Sequence, residues 1–215
     1  MIPRPKRSLF QSTKRLRSDD AVALTFDDGP DHKLDSFLSI LGEARAQATF
    51  FVVGEQVERS PSMLQEIVSC GHEVAVHCYR HRDYRQLTPA QAVEDMRRAR
   101  AVIEDMAERC TERFRPPFGS FSLASRLEAS RQGWERVLWT RDSRDYEPRA
   151  TPQFIVDSIG WPNGGDIILL HDSARYAVSP SSHNTLKALP AILERISTLG
   201  LTARSIHAIL KAERR

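Results

Sequence analysis

The sequence predicts an α/β domain in which about seven parallel strands curve into a barrel with helices on the outside. Two observations lead to this prediction. From residue 21 onward, short β-rich runs alternate with amphipathic segments. Seven such units follow one another over about 190 residues, with no linker-like stretch between them. This alternation is typical of a parallel sheet covered by helices, and seven units favour closure into a barrel, one short of the common eight.

The elements follow in order from local signals. Strands are predicted where short apolar or β-branched runs end in turn-forming residues, at 21–26, 48–53, 73–76, 113–115, 136–140, 167–170 and 201–204. Helices are predicted where apolar residues recur every three or four positions, as from Leu34 to Leu41. Proline at the first helical position marks helices that begin at 61, 89 and 152, and Thr88 with Gln91 forms a capping-box pattern before the second of these. Further helices are expected at 123–132, 186–197 and 206–211.

Composition describes an ordinary globular chain with a basic leader. Of its 215 residues, 40% are hydrophobic and 27% charged, and the mean hydropathy is −0.42. The longest mostly apolar run, residues 46–54, is far shorter than the roughly 20 residues that cross a membrane. Six of the 31 basic residues lie in the first 17 positions, so we expect a flexible leader at 1–19 and a folded domain at 20–215.

The same charge distribution argues against a nucleic-acid partner. Residues 18–215 carry 25 basic and 28 acidic side chains, so the basic pI belongs to the leader and the domain offers no excess of positive charge. The leader would make at most a weak contact with an anionic surface. Three cysteines without CxxC spacing suit a reducing compartment, and no apolar signal segment follows the first basic residues. We therefore expect a cytoplasmic location.

Reactive side chains are concentrated just after the predicted strands. In a parallel barrel these positions share the C-terminal face, where the loops build an active site. Structural polar residues would show no preference for one end. The residues at these positions are Asp27, Asp28, His77, His81, Arg115, Asp142, Asp145 and His171.

Two histidines and a pair of acids suggest a metal site. His77 and His81 are four residues apart, which would align their rings on one helical turn, although such a pair alone is more often two surface or capping histidines. Adjacent acids such as Asp27 and Asp28 at a strand end more often reflect a turn, since Asp-Gly-Pro favours one. As site residues, the two carboxylates point in different directions, so one would ligate a metal while the other acts as a base. Two histidines and one carboxylate leave coordination positions open and suit one divalent ion, Zn first, with Co, Ni, Mn or Fe as alternatives.

Two further residues suit the chemistry of such a site. Arg115 begins a stiff Arg-Pro-Pro-Phe-Gly turn, which would steer its guanidinium inward to hold a carboxylate. The alternative is a surface arginine at a proline corner. His171 follows an apolar strand and is either a general acid or a core histidine with satisfied hydrogen bonds.

Five motifs follow one another along the chain: TFDDGP at 25–30, HCYRH at 77–81, RPPFG at 115–119, DSRDY at 142–146 and LLHD at 169–172. In type and order they resemble the motifs of the polysaccharide deacetylases, carbohydrate esterases of the NodB-homology type. The resemblance spans about residues 20–205.

This resemblance implies a distorted (β/α) barrel and a metal-dependent hydrolase that removes acetyl groups from an N-acetylglucosamine-containing oligo- or polysaccharide. It implies Asp28, His77 and His81 as metal ligands. It implies Asp27 as the general base with Arg115 as its partner, and His171 as the general acid supported by Asp145. Phe118, Tyr146 and Leu169 would contact the substrate.

Three positions depart from the pattern of the family. Cys78 stands where serine or threonine is usual, Phe118 where tyrosine is usual, and Tyr146 where tryptophan is usual. The last lies at the expected pocket wall and so bears on the substrate. Three other functions remain open: an amidase or esterase acting on a non-sugar substrate, a non-catalytic carbohydrate-binding protein, and a phosphoesterase. The single metal triad argues against the last, which commonly uses two metals.

Overall fold

The computed structural model of the protein describes residues 9–107, 112–177 and 181–213. Within these residues, parallel strands form one sheet that curls into a half-barrel, which confirms the predicted architecture. Seven strands follow the order β5-β4-β3-β2-β1-β7-β6, and β8 pairs with the first residues of β1. The strands are β1 (Ala21–Asp27), β2 (Thr49–Val53), β3 (Glu73–Cys78), β4 (Arg113–Phe114), β5 (Glu135–Arg136), β6 (Arg141–Asp142), β7 (Ile167–His171) and β8 (Thr202–Arg204).

The helices lie on the outside of the sheet, largely where the sequence places them. The prediction misses one short helix, α2, and begins α7 five residues late. Thr88 and Gln91 exchange the two hydrogen bonds of a capping box, which confirms the predicted start of α4. The helices are α1 (Leu34–Glu43), α2 (Gly54–Arg59), α3 (Pro61–Ser69), α4 (Pro89–Ala107), α5 (Leu123–Arg131), α6 (Pro152–Ile159), α7 (Ser181–Thr198) and α8 (Ile206–Ala212). None of the helices in the described part of the chain could cross a bilayer.

Both faces of the sheet are buried, which explains the unbroken apolar runs of the sequence. Along β1, Val22, Leu24 and Phe26 face the helices, while the small residues Ala21 and Ala23 face the interior of the half-barrel. The two faces therefore build two separate cores, one between sheet and helices and one inside the half-barrel.

The sheet is open between β5 and β6, so the predicted single strand at 136–140 is wrong. The seam is covered by part of the leader instead. Thr13 forms a parallel bridge with Val137, and Arg15 forms an antiparallel bridge with Asp166. The Thr13 N–H donates to the Arg136 carbonyl and the Leu138 N–H to the Thr13 carbonyl, both at 2.8 Å.

This packing corrects the expectation of a flexible leader for its second half. Leu16 is only 6% exposed and packs in the interior core. Backbone groups at an open sheet edge require hydrogen-bond partners, and this segment supplies them. Residues 1–8 of the expected leader lie outside the described residues.

Candidate active site

The predicted site residues converge at the carboxyl ends of the strands. Asp27 ends β1 and His171 ends β7, and the two are paired in the register of these neighbouring strands. A cavity of about 320 Å³ lies over this face. Arg115 and Asp145 stand behind it. Its lining comprises Asp27, Asp28, His77, His81, Phe118, Gly119, Trp139, Tyr146, Leu169, His171, Tyr176 and Ala177.

Three side chains offer a group of metal ligands. Ligand atoms of Asp28, His77 and His81 all lie within 4.8 Å of one another. Asp28 Oδ1 is 3.3 Å from His77 Nε2 and 3.2 Å from His81 Nε2. This oxygen is buried and accepts no hydrogen bond from the described residues. A buried, unsatisfied carboxylate oxygen facing two imidazole nitrogens is a donor set that fits a divalent cation.

The two histidines do not share a helical turn, contrary to the sequence interpretation. His77 lies within β3, and His81 lies in the loop beyond the end of that strand. The loop bends because Asp95, buried on α4, accepts the backbone N–H groups of Tyr79 and Arg80, each at 2.9 Å. Asp95 also accepts the Tyr84 hydroxyl at 2.7 Å. Sequence reasoning missed Asp95, although an acid at an apolar-spaced position of an amphipathic helix marks a buried, partnered carboxylate.

The three side chains of this group present unprotonated ligand atoms to a metal ion. His77 Nδ1 donates to the Arg115 carbonyl at 2.8 Å, which leaves Nε2 as the free nitrogen. Burial lowers the pKa of His81 to about 4 and so keeps its ring neutral. For Asp28, burial alone would raise the pKa. The contact with the His77 imidazole and the charge of His171 outweigh burial and lower the pKa to about 2.

Asp27 is held by a fully buried arginine. Arg115 Nη1 donates to Asp27 Oδ1 at 2.7 Å and to the Thr25 hydroxyl at 2.9 Å, while Nη2 donates to the Leu138 carbonyl at 3.2 Å. The guanidinium carbon lies 4.1 Å from the ring centre of Phe51. These contacts fix the carboxylate of Asp27 at the edge of the cavity and leave its second oxygen 3.9 Å from His77 Nδ1.

His171 is held by Asp145 in a similar way. The imidazole Nδ1 donates to Asp145 Oδ1 at 2.6 Å, and Asp145 Oδ2 accepts the His171 backbone N–H at 2.9 Å and the Thr185 hydroxyl at 2.7 Å. Burial would lower the pKa of His171, but the charge and hydrogen bond of Asp145 outweigh it. Together with Asp28 and Asp27 they raise the pKa to about 10. The ring is therefore cationic at neutral pH, with Nε2–H available as a donor.

Aromatic residues form the wall of the cavity. Phe118 has a positive φ of 59° within the Pro-Pro-Phe-Gly turn, and its side chain is 62% exposed. Tyr146 packs its ring against His171 with centroids 5.8 Å apart. Asp142 accepts both the Tyr146 hydroxyl at 3.3 Å and the Trp139 indole N–H at 3.2 Å. Sequence reasoning missed Trp139 and Tyr176, since neither belongs to a strand-end motif.

Comparison with known proteins identifies the class to which this fold and site belong. The family model for polysaccharide deacetylases matches residues 14–137. The chain belongs to the polysaccharide deacetylase family, a family of hydrolases that act on amide bonds.

Individual relatives cover most of the chain. A chitooligosaccharide deacetylase from Sinorhizobium fredii is 32% identical over 86% of this chain and 90% of its own length. A peptidoglycan-N-acetylglucosamine deacetylase from Bacillus cereus is 27% identical over 90% of each chain. The family 4 carbohydrate esterase from Streptomyces lividans, solved with acetate, is 31% identical and has a TM-score of 0.78, with 86% of this chain and 92% of that one covered. Structures of similar fold also include a CE4 family pseudoenzyme from Bacillus anthracis, which is 24% identical with a TM-score of 0.81, with 92% of this chain and 68% of that one covered.

Proposed function

We propose that the protein is a metal-dependent deacetylase that hydrolyses the N-acetyl group of N-acetylglucosamine in an oligo- or polysaccharide and releases acetate. One observation carries the proposal. A group of metal ligands, a carboxylate held by a buried arginine, and a cationic histidine held by a carboxylate line the same cavity. This is the set of groups that amide hydrolysis requires: an electrophile, a base and an acid.

Asp28, His77 and His81 would hold the cation, with zinc as the first candidate because two imidazoles and one carboxylate are a common set for catalytic zinc. When bound, this ion would supply Lewis acidity to the scissile carbonyl and to water. Cobalt, nickel, manganese and iron accept the same ligands. Elemental analysis of the purified protein therefore identifies the native metal.

Asp27 would accept the proton of the attacking water. Its carboxylate borders the cavity, and Arg115 fixes Oδ1 while Oδ2 lies on the side of His77. The two hydrogen bonds of Arg115 Nη1, to Asp27 and to Thr25, hold the base in one orientation. As the tetrahedral intermediate forms, the backbone N–H of Phe118 would donate to the developing oxyanion. Loss of one such donor typically costs about 10²–10³ in rate.

His171 would protonate the leaving nitrogen. An amine departs only after it gains a proton, and the cationic ring held by Asp145 carries that proton on Nε2. Leu169 and Tyr146 would contact the methyl of the acetyl group, since both line the cavity beside His171.

The saccharide substrate is proposed because the similar proteins include a chitooligosaccharide deacetylase and a peptidoglycan-N-acetylglucosamine deacetylase. Chitooligosaccharide is the first substrate to test. The test is acetate release by the zinc-loaded protein from chitooligosaccharides, peptidoglycan, an N-acetylated non-sugar amine and an acetate ester. Acetate release from a saccharide, and not from the non-sugar amine or the ester, supports the proposal. Release only from the non-sugar amide or the ester would replace it with an amidase or esterase.

A matched pair of variants distinguishes the proposed enzyme from a carbohydrate-binding protein without turnover. Asp27→Asn removes the proposed base, whereas Asp157→Asn changes an exposed acid on α6 that does not line the cavity. We expect acetate release to fall at least about 10²-fold in the first variant and to stay unchanged in the second. Saccharide binding with no acetate release by the zinc-loaded wild type would overturn the enzyme assignment.

A further inference from the structure

We infer that Tyr176, anchored by Gln56, is the positioning residue that fixes the ring of His81 for metal binding. The inference rests on the proposed metal site and concerns a residue outside all five family motifs. Tyr176 lies in the loop after β7, and Gln56 lies on α2.

The two ligand histidines are oriented by different means. A metal-binding histidine normally donates its second ring N–H to a partner that fixes the ring plane. His77 has such a partner in the Arg115 carbonyl, and it also lies on a strand. His81 lies in a loop, and among the described residues no hydrogen bond to its ring is made. Its orientation must therefore come from packing.

Two aromatic rings provide that packing. The Tyr176 ring stacks on His81 with centroids 4.5 Å apart and planes inclined by only 14°. Phe118 meets the same imidazole edge-on, at 4.7 Å and 65°. A near-parallel stack restricts rotation of the imidazole about its Cβ–Cγ bond, so it holds Nε2 toward Asp28 Oδ1 at 3.2 Å.

The tyrosine itself is tied to the body of the domain. Its hydroxyl oxygen accepts a hydrogen bond of 2.9 Å from Gln56 Nε2. Gln56 is 4% exposed on a helix that follows β2 directly, so it provides a rigid anchor. The His81 ring is thereby linked through Tyr176 to an element that carries no ligand of its own.

The test is metal affinity, measured by competition between the protein and a chromophoric zinc chelator. Changes to a residue that orients a metal ligand typically cost 10–100-fold in metal affinity. We expect Tyr176→Leu, which keeps apolar bulk but loses the flat ring, to weaken zinc binding about tenfold or more. Tyr176→Phe keeps the stack and loses only the bond to Gln56, so its affinity should stay within about threefold of wild type. Arg175→Ala, a neighbour in the same loop that is exposed, is the matched control and should bind zinc as wild type does.

A second measurement guards against a variant that is merely unfolded. Cobalt-substituted protein shows visible absorption that reports ligand geometry, and Tyr176→Leu should alter this spectrum while its far-UV circular dichroism stays native. If Tyr176→Leu is folded and binds zinc like wild type, the inference is wrong. If His81→Ala also binds zinc like wild type, the proposed metal site itself fails, and the two failures are thereby distinguished.

Discussion

Replacement of Asp145 by asparagine tests how the proposed acid keeps its proton. Asp145 Oδ2 accepts two hydrogen bonds, from the His171 backbone N–H and the Thr185 hydroxyl. In Asp145→Asn the single amide oxygen must occupy this position, because an NH₂ there would face two donors. The amide NH₂ then points at His171 Nδ1, which cannot accept that bond while it carries a proton. The variant therefore disfavours the imidazolium twice, by loss of charge and by reversal of a hydrogen bond.

The size of the effect follows from the pKa of His171. Asp145, with smaller contributions from Asp28 and Asp27, raises this pKa from 6.5 to about 10 against the opposing effect of burial. Without Asp145, burial dominates and the pKa should fall to near or below 6.5. A group of pKa 6.5 is only about 1% protonated at pH 8.5. At that pH we expect the kcat/KM of the variant to lie about 100-fold below its own value in mildly acidic solution, while wild type shows no such loss.

The assay is kcat/KM for acetate release against pH, for zinc-loaded wild type and Asp145→Asn with metal content checked in each. The alkaline limb should move to lower pH by more than two units in the variant, with zinc content unchanged. Asp142→Asn is the matched control, since Asp142 bonds Trp139 and Tyr146 but not His171. Its alkaline limb should stay in place. An unmoved limb in Asp145→Asn, or equal movement in both variants, would refute the reasoning.

Three further predictions concern neighbouring carboxylates and the leader. Asp28→Asn should weaken zinc binding, whereas Asp27→Asn should keep zinc and lose most turnover; equal zinc loss by elemental analysis would contradict these roles. Asp172 is buried, and among the described residues neither of its carboxylate oxygens has a hydrogen-bond partner; burial together with the charge of Asp28 raises its pKa well above 3.8. The contribution of this carboxyl group to the free energy of unfolding therefore declines as pH rises above 3.8, so Asp172→Asn should raise the unfolding temperature in chelator at pH 8 and less at pH 4; a gain independent of pH would count against it. Leu16→Ala should lower the free energy of unfolding by ~2–4 kcal/mol in urea denaturation, whereas Phe10→Ala, 70% exposed, should change it little. A null effect of Leu16→Ala would restore the picture of a flexible leader.

Sequence alone determined the architecture and the inventory of reactive groups. Strands with both faces buried appear as unbroken apolar runs, and the helices between them carry their own start and stop signals. The alternation of strands and helices can therefore be predicted from the sequence. Parallel strands bring their carboxyl ends to one edge, so the convergence of Asp28, His77 and His171 is predictable from their positions at the ends of apolar runs. These are local or topological consequences of pattern.

Only the tertiary structure decided how these groups are oriented. The spacing of His77 and His81 suggested a helical turn, yet a strand and a loop bring them together, because Asp95 on α4, the next helix in the chain, binds the loop backbone. Tyr176 reaches His81 from a loop almost a hundred residues away in the chain. Spacing along one segment carries no information on such partners.

The leader shows the same limit on a larger scale. Its charge and the lack of an apolar run in the first residues predicted a flexible tail, and nothing local marks Leu16 as a core residue. Its burial depends on an opening between β5 and β6, which exists only once the sheet has curled and left backbone groups without partners. The position of this segment depends on the shape of the opening that it fills. That opening exists only in the assembled sheet.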